Sequence, residues 1–147
     1  MAAEEHLTPE SCISYRLRRV ARAAAKTFDD ALRPAGLRNT QFTLLATLQH
    51  LGEASVGDLS DRLGVDQTTL TRNLDVLARH GYVDSAAAAD GRFRMLRMTA
   101  QGDAVLKRAL PLWRKTQHQL LQSLEDGRWA EMLQGLEQIE GACERAP

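Results

Sequence analysis

At 147 residues, with 44% hydrophobic and 26% charged side chains, the chain suits one domain built around a real core. No run approaches the roughly 18 apolar residues of a membrane span. The opening stretch MAAEEHLTPESC lacks the basic-then-apolar order of a signal peptide, so a cytoplasmic location is expected.

Residues 11–33 read as a long helix, with Ile13, Leu17, Val20, Ala24, Phe28 and Leu32 at three- and four-residue steps and Pro34 and Gly36 ending it. Asn39 or Thr40 then caps a second helix through Gln49, apolar at Phe42, Leu44, Leu45 and Leu48. Ser55 and Asp58 have the spacing of a capping box, opening a short helix that ends at Gly64. Asp66 can cap the next helix, Gln67 to His80, which stops at Gly81.

Tyr82–Ser85 and Phe93–Met98 are the predicted strands, with Ala86–Ala89 placed in a mobile loop because alanine is a poor strand residue. Thr99 caps a long helix in which Pro111 should produce a kink or an interruption near Leu110. A last helix follows Gly127, with Trp129, Met132, Leu133, Leu136 and Ile139 on one stripe.

The formal net charge of zero looks wrong for a binder of polyanions until it is divided along the chain. Residues 62–115 hold ten Lys/Arg against five Asp/Glu, whereas residues 116–147 hold two against six. Between Arg92 and Lys115 seven basic residues face only Asp103. Local charge, not the total, attracts a polyanion.

Ser55–Met98 therefore reads as one DNA-docking unit: a short helix, a Gly turn, a second helix with a polar outer face, then a hairpin. Helical geometry puts Leu70, Leu74 and Leu77 on one stripe facing the core. The opposite side carries Thr68, Arg72, Asp75 and Arg79, flanked by Thr69 and Thr71. Short hydroxyls allow close approach to the duplex, Arg72 can fork onto guanine or meet a phosphate, and Gln67 can read adenine. Asp75 either orients Arg72 or Arg79 or accepts from a cytosine amino group. Asp90-Gly91-Arg92 forms the hairpin turn, where Asp90 is placed to hold Arg92 for insertion into a narrow minor groove. Taken alone, each feature has an ordinary explanation, a solvated helix face and a D-G turn. Together they favour DNA.

Catalytic and cofactor signals are missing from the sequence. The four histidines and two cysteines show no metal spacing, and there is no Gly-rich phosphate loop or nucleophile–base motif. No enzyme activity, structural zinc or cofactor is expected. A helical interaction protein whose winged domain no longer binds DNA is the alternative from another class, and Arg72 and Arg92 on both reading elements argue against it.

In order and spacing, several segments resemble the MarR family of winged helix-turn-helix regulators. They are Leu32-Arg33-Pro34-Ala35-Gly36-Leu37 with Thr40-Gln41-Phe42, Leu59-Ser60-Asp61-Arg62-Leu63-Gly64, and Thr69-Leu70-Thr71-Arg72. The likeness continues through Leu77 to Val83, Asp90-x-Arg92 and Met98-Thr99-x-x-Gly102. Two departures stand out: Ala86–Ala89 replace polar or Pro-containing wing residues, and Met98 stands where Leu is usual.

The resemblance implies a mainly α fold with a small β-wing. A single domain over 1–147 would hold a winged helix at about 38–99 between dimerisation helices at about 11–33 and 100–145. It implies a homodimer on a palindromic operator, commonly a repressor released by a small aromatic or phenolic effector. Tyr15, Arg16, Arg19, Phe42, His50 and Trp113 are the effector candidates, although Phe42 and Trp113 also fit apolar stripes. Oxidant-sensing members carry a reactive cysteine early in the first helix, some pairing it with a C-terminal cysteine of the other subunit. On that resemblance Cys12 and Cys143 are redox candidates, and a buried apolar role is the alternative.

Overall fold

A computed structural model describes residues 8–87, 91 and 93–146. Among these residues six α-helices and three short strands run α1 (Ile13–Leu32), α2 (Asn39–Leu51), β1 (Glu53–Ser55), α3 (Val56–Leu63), α4 (Gln67–Arg79), β2 (Val83–Ala87), β3 (Arg94–Met98), α5 (Ala100–Gln122) and α6 (Arg128–Glu144). Mainly helical, with a small antiparallel sheet, this is the winged helix-turn-helix architecture. The chain divides into two compact units, one through Trp113 and one from Arg114.

The core of the first unit gathers one face from each element. Leu32, Leu44, Leu45, Leu48, Leu59, Leu70, Leu77 and Val105 are all buried to under 2% exposure. Each contributes on the order of 1.5–3 kcal/mol through removal of apolar surface from water. The Leu70, Leu74 and Leu77 stripe of α4 lies in this core, which turns the opposite side of the helix outward. Trp113 closes one end, stacked between Phe28 (ring centroids 6.3 Å apart) and Phe42 (5.6 Å).

Local chemistry sets most boundaries. The α1 register ends in a short 3-10 turn over Arg33–Ala35, and Gly36 adopts φ 76°, a left-handed conformation that a residue without Cβ reaches at no cost. Ser55 and Asp58 close a reciprocal capping box on α3: the Ser55 hydroxyl oxygen accepts from the Asp58 amide at 3.1 Å, and Asp58 accepts from the Ser55 amide at 2.9 Å.

Four expectations need correction. The second helix starts at Asn39 after Arg38, not behind an Asn39 or Thr40 cap. Its first amides are satisfied from elsewhere: Asp29 of α1 accepts from the Asn39 amide at 2.7 Å, and Gln41 accepts from the Arg38 amide at 2.9 Å. A partner ten residues upstream leaves no local signature.

Second, the sheet has three strands in the order β1-β3-β2, with Ala54 opposite Leu96 and Val83 opposite Met98. Three-residue β1 is too short to show alternation, so periodicity missed it. Third, Ala86 and Ala87 belong to β2, opposite Met95 and Arg94; backbone pairing with β3 overrides the low strand propensity of alanine. Ala88 and Ala89, the rest of that expected loop, lie outside the described residues. Fourth, of the kink or interruption expected near Leu110, the interruption is absent: Pro111 sits inside one helix from Ala100 to Gln122. The missing Pro N–H leaves the Lys107 carbonyl without that one amide donor while the remaining ladder continues.

Among the described residues no helix is long and apolar enough to cross a membrane.

Candidate nucleic-acid interface

Helix α4 begins with a strong local stop. Asp66 accepts the Thr69 amide at 2.9 Å through one carboxylate oxygen and the Thr69 hydroxyl at 2.7 Å through the other. These bonds hold the Asp66 carboxyl below its ordinary value of 3.8, the Thr69 hydroxyl first and its amide next. Ser55 does the same for Asp58, again hydroxyl before amide.

Both folded values are depressed, so the stabilisation from both caps is fully present above the ordinary carboxylate range. It is lost as pH falls from about 3.8 through the folded values. Asp66→Ala should lower the melting temperature by roughly a few degrees, and Asp66→Asn should recover much of the loss. Thermal unfolding at pH 7 and pH 3 tests this: the parent's advantage over Asp66→Ala should shrink at the lower pH, whereas that of Asp66→Asn, which does not titrate, should stay the same; a parent advantage that does not change with pH would refute the carboxylate cap.

Capping also sorts the candidate DNA contacts. Gln67, Thr68, Thr69, Thr71 and Arg72 are all exposed. The Thr69 hydroxyl hydrogen is given to Asp66, and the Thr71 hydroxyl donates to the Gln67 carbonyl at 2.7 Å. In this state both oxygens can accept but neither can donate to a phosphate. Gln67, Thr68 and Arg72 have no side-chain partner among the described residues.

Arg72, Asp75 and Arg79 line one shallow concavity with Val76 and Ala78. No ion pair joins Asp75 to either arginine among the described residues. A second cleft of about 440 Å³ separates α4 from the hairpin, walled by Thr71, Leu74, Asp75 and Ala78 on one side and by Val83, Asp84, Ser85, Arg94 and Leu96 on the other. The hairpin thus stands directly beside the reading helix.

Cross-strand contacts orient its cations. Arg94 donates to the Ser85 hydroxyl at 2.8 Å, and Arg97 lies 3.6 Å from Asp84. The sequence places Arg97 on one strand face with Phe93 and Met95 and counts both arginines in the basic stretch, but marks neither as a DNA contact. Asp90 and Arg92 lie outside the described residues.

Three of the effector candidates meet. Phe42, His50 and Trp113 line a cavity of about 330 Å³ with Thr43, Ala46, Thr47 and Arg62. Arg62 was missed because it reads as an ordinary polar position of α3. Tyr15, Arg16 and Arg19 are not in its walls. Arg19 donates to the Tyr15 hydroxyl at 3.3 Å and lies over the Tyr15 ring, while Arg16 donates to the Glu10 carbonyl. Cys12, at the N-cap of α1, and Cys143, near the end of α6, are both free and exposed; they fall in different compact units.

The family model described as MarR family matches residues 35–92. The M. tuberculosis transcriptional regulator MosR, solved in complex with DNA, is 42% identical, with 92% of this chain and 99% of that chain covered and a TM-score of 0.80. A second structure of MosR gives 36% identity over 95% of this chain and 100% of that one, with a TM-score of 0.85. An uncharacterized HTH-type transcriptional regulator of Bacillus subtilis, YwoH, is 24% identical over 76% of this chain and 82% of its own length. Full-length similarity at this level, joined to the winged fold, places the protein among transcription regulators and not enzymes: the chain belongs to the MarR family.

Proposed function

We propose that the protein is a homodimeric repressor that binds a palindromic DNA operator and is released by a small aromatic effector. The observation that carries this reading is the outer face of α4, where the exposed Gln67, Thr68 and Arg72 have no side-chain partner among the described residues and lie beside a hairpin carrying Arg94 and Arg97. The DNA complex of the related MosR supports it. Such a regulator would work beside the chromosome, in the cytoplasm.

Dimerisation is supported by apolar stripes left in solvent. Ile13 (58% exposed), Leu17 and Val20 (65%) lie on α1, and Trp129, Met132 and Leu133 on α6. Exposed apolar area of this kind is the signature of an interaction face. A twofold partner would set two reading helices about 34 Å apart, one turn of DNA.

For the effector, the cavity beside Trp113 is of ligand size. Phe42 and Trp113 supply aromatic walls, His50 and Arg62 polar and cationic ones, a combination suited to an aromatic acid. Exposed Cys12 and Cys143 support a second reading, in which oxidation of a thiol replaces or supplements the effector.

Selection of bound sequences from random duplexes at two salt concentrations tests the reading. An enriched palindrome with half-sites one turn apart, bound less tightly at high salt, is expected. Titration of aromatic carboxylates and of peroxide into that complex should then release it, with Trp113 fluorescence changing only in the former case. No enrichment at either salt would move the assignment to a helical interaction protein.

A further inference from the structure

Phe93 is the one large apolar side chain outside the helices that is exposed among the described residues, at 62%. All others in that class lie on α1, α2, α5 or α6. A dimer built on the terminal helices gives several of those a role. It gives none to a ring on the turn side of the hairpin, immediately before β3 and beyond the Ala87–Arg94 pair. Its sequence neighbourhood is net basic: the segment 90–98 reads DGRFRMLRM, three arginines against the one acid Asp90. Arg94 spends its one described bond on a neutral hydroxyl, and Arg97 faces Asp84 only at 3.6 Å with both side chains more than half exposed. The local field therefore stays positive. An apolar partner protein would have to accept that charge, whereas duplex DNA complements it.

Resting on the DNA-binding reading above, we infer that Phe93 is an apolar contact of the wing, packing its ring against the deoxyribose walls of the minor groove next to the α4 site. The cleft shared by α4 and the hairpin fixes the relation between the two elements. With α4 in the major groove, the flanking hairpin meets the adjoining minor groove. Sugar C–H edges line that groove, and aromatic or aliphatic side chains recurrently enter it beside arginines. Phe93 adds burial of apolar surface to what is otherwise an electrostatic contact.

The test compares the full-length protein with Phe93→Ala and Phe93→Trp on the selected operator across a salt series. Phe93→Ala should weaken binding on the order of tenfold, the share expected for one aromatic side chain, without changing the slope of log affinity against log salt. A ring contact releases no counterions, whereas loss of one phosphate contact flattens the slope by about 0.9. Its melting temperature should match that of the parent, because the ring is exposed. Phe93→Trp should retain affinity, and its emission should shift on operator addition relative to the same titration of the parent.

Parent binding with unaltered affinity in Phe93→Ala, or a flattened salt slope, overturns the inference and leaves the regulator reading standing. Failure of the parent to bind any duplex overturns both.

Discussion

Gly102→Ala is expected to destabilise the protein by about 3 kcal/mol, with a fall in melting temperature of roughly 10 °C. A Cβ at position 102 would run far inside van der Waals contact of the Tyr82 carbonyl oxygen and come within 2.6 Å of Met98 Cγ. A side chain such as Met98 can turn aside, but the Tyr82 carbonyl is committed. It accepts the Thr99 amide at 3.0 Å, the Thr99 hydroxyl donates to the Gly81 carbonyl at 2.5 Å, and the same hydroxyl oxygen accepts the Gly102 amide at 3.1 Å.

The Tyr82 amide in turn donates to Leu77 of α4 at 2.9 Å. One knot thus ties the end of α4, the start of β2, the end of β3 and the first turn of α5. Displacing it should disturb the relation of reading helix to hairpin, so operator affinity should fall together with stability. Gly57→Ala is the matched control. Its Cβ would meet only the Ser55 hydroxyl oxygen at an ordinary 3.6 Å, and a helical Gly→Ala change is neutral or stabilises by up to about 1 kcal/mol. Equal melting temperatures for the two variants would sink the close-approach argument.

That knot also shows what the sequence could and could not convey. Met98-Thr99-x-x-Gly102 was recognisable as a motif and Thr99 as a cap, both local facts. That position 102 must lack a Cβ because another element's carbonyl occupies the space is a tertiary fact with no periodicity to reveal it. The same division runs through the chain. The Ser55–Asp58 box, the Asp66 cap and the Leu70–Leu74–Leu77 stripe act within one or two turns and were legible. Asp29 serving the amide of Asn39, and β1 pairing with β3, act across ten and about forty residues and were not.

For the interface, composition identified the reading helix, but only hydrogen-bond geometry separates Thr68, whose donor is unengaged, from Thr69 and Thr71, whose hydroxyl hydrogens are used inside α4. Phe42, His50 and Trp113 could be grouped from resemblance. Arg62 joined them only when α3 was folded against α2.

Arg72→Ala should weaken operator binding by about 10- to 100-fold, the range of one forked guanine contact, while binding to unrelated duplexes changes far less. Arg72 sits five residues past the start of α4, about 7.5 Å along its axis, and no carboxylate engages it among the described residues. Its guanidinium therefore reaches the duplex without breaking an internal bond, and the effect should lie in binding rather than in folding.

Arg72→Lys separates the two chemistries open to this side chain. Lysine keeps the charge but loses the planar fork. A phosphate contact would be largely rescued, with the salt slope restored. A guanine contact would not, and the preference at one base pair of each half-site would relax. The second outcome is expected, because Asp75 stands three residues on, exposed and without an ion pair among the described residues. A lone acid on this face repels phosphate, so it is tolerable where the helix meets base edges that include a cytosine amino donor and costly where it lies against the backbone. Arg72 and Asp75 would then read neighbouring bases from one helix face. Asp75→Asn should relax preference at the adjacent position and leave binding to unrelated duplexes little changed. A gain for all duplexes with preference unchanged, or full rescue by lysine at 72, would assign this face to the backbone instead.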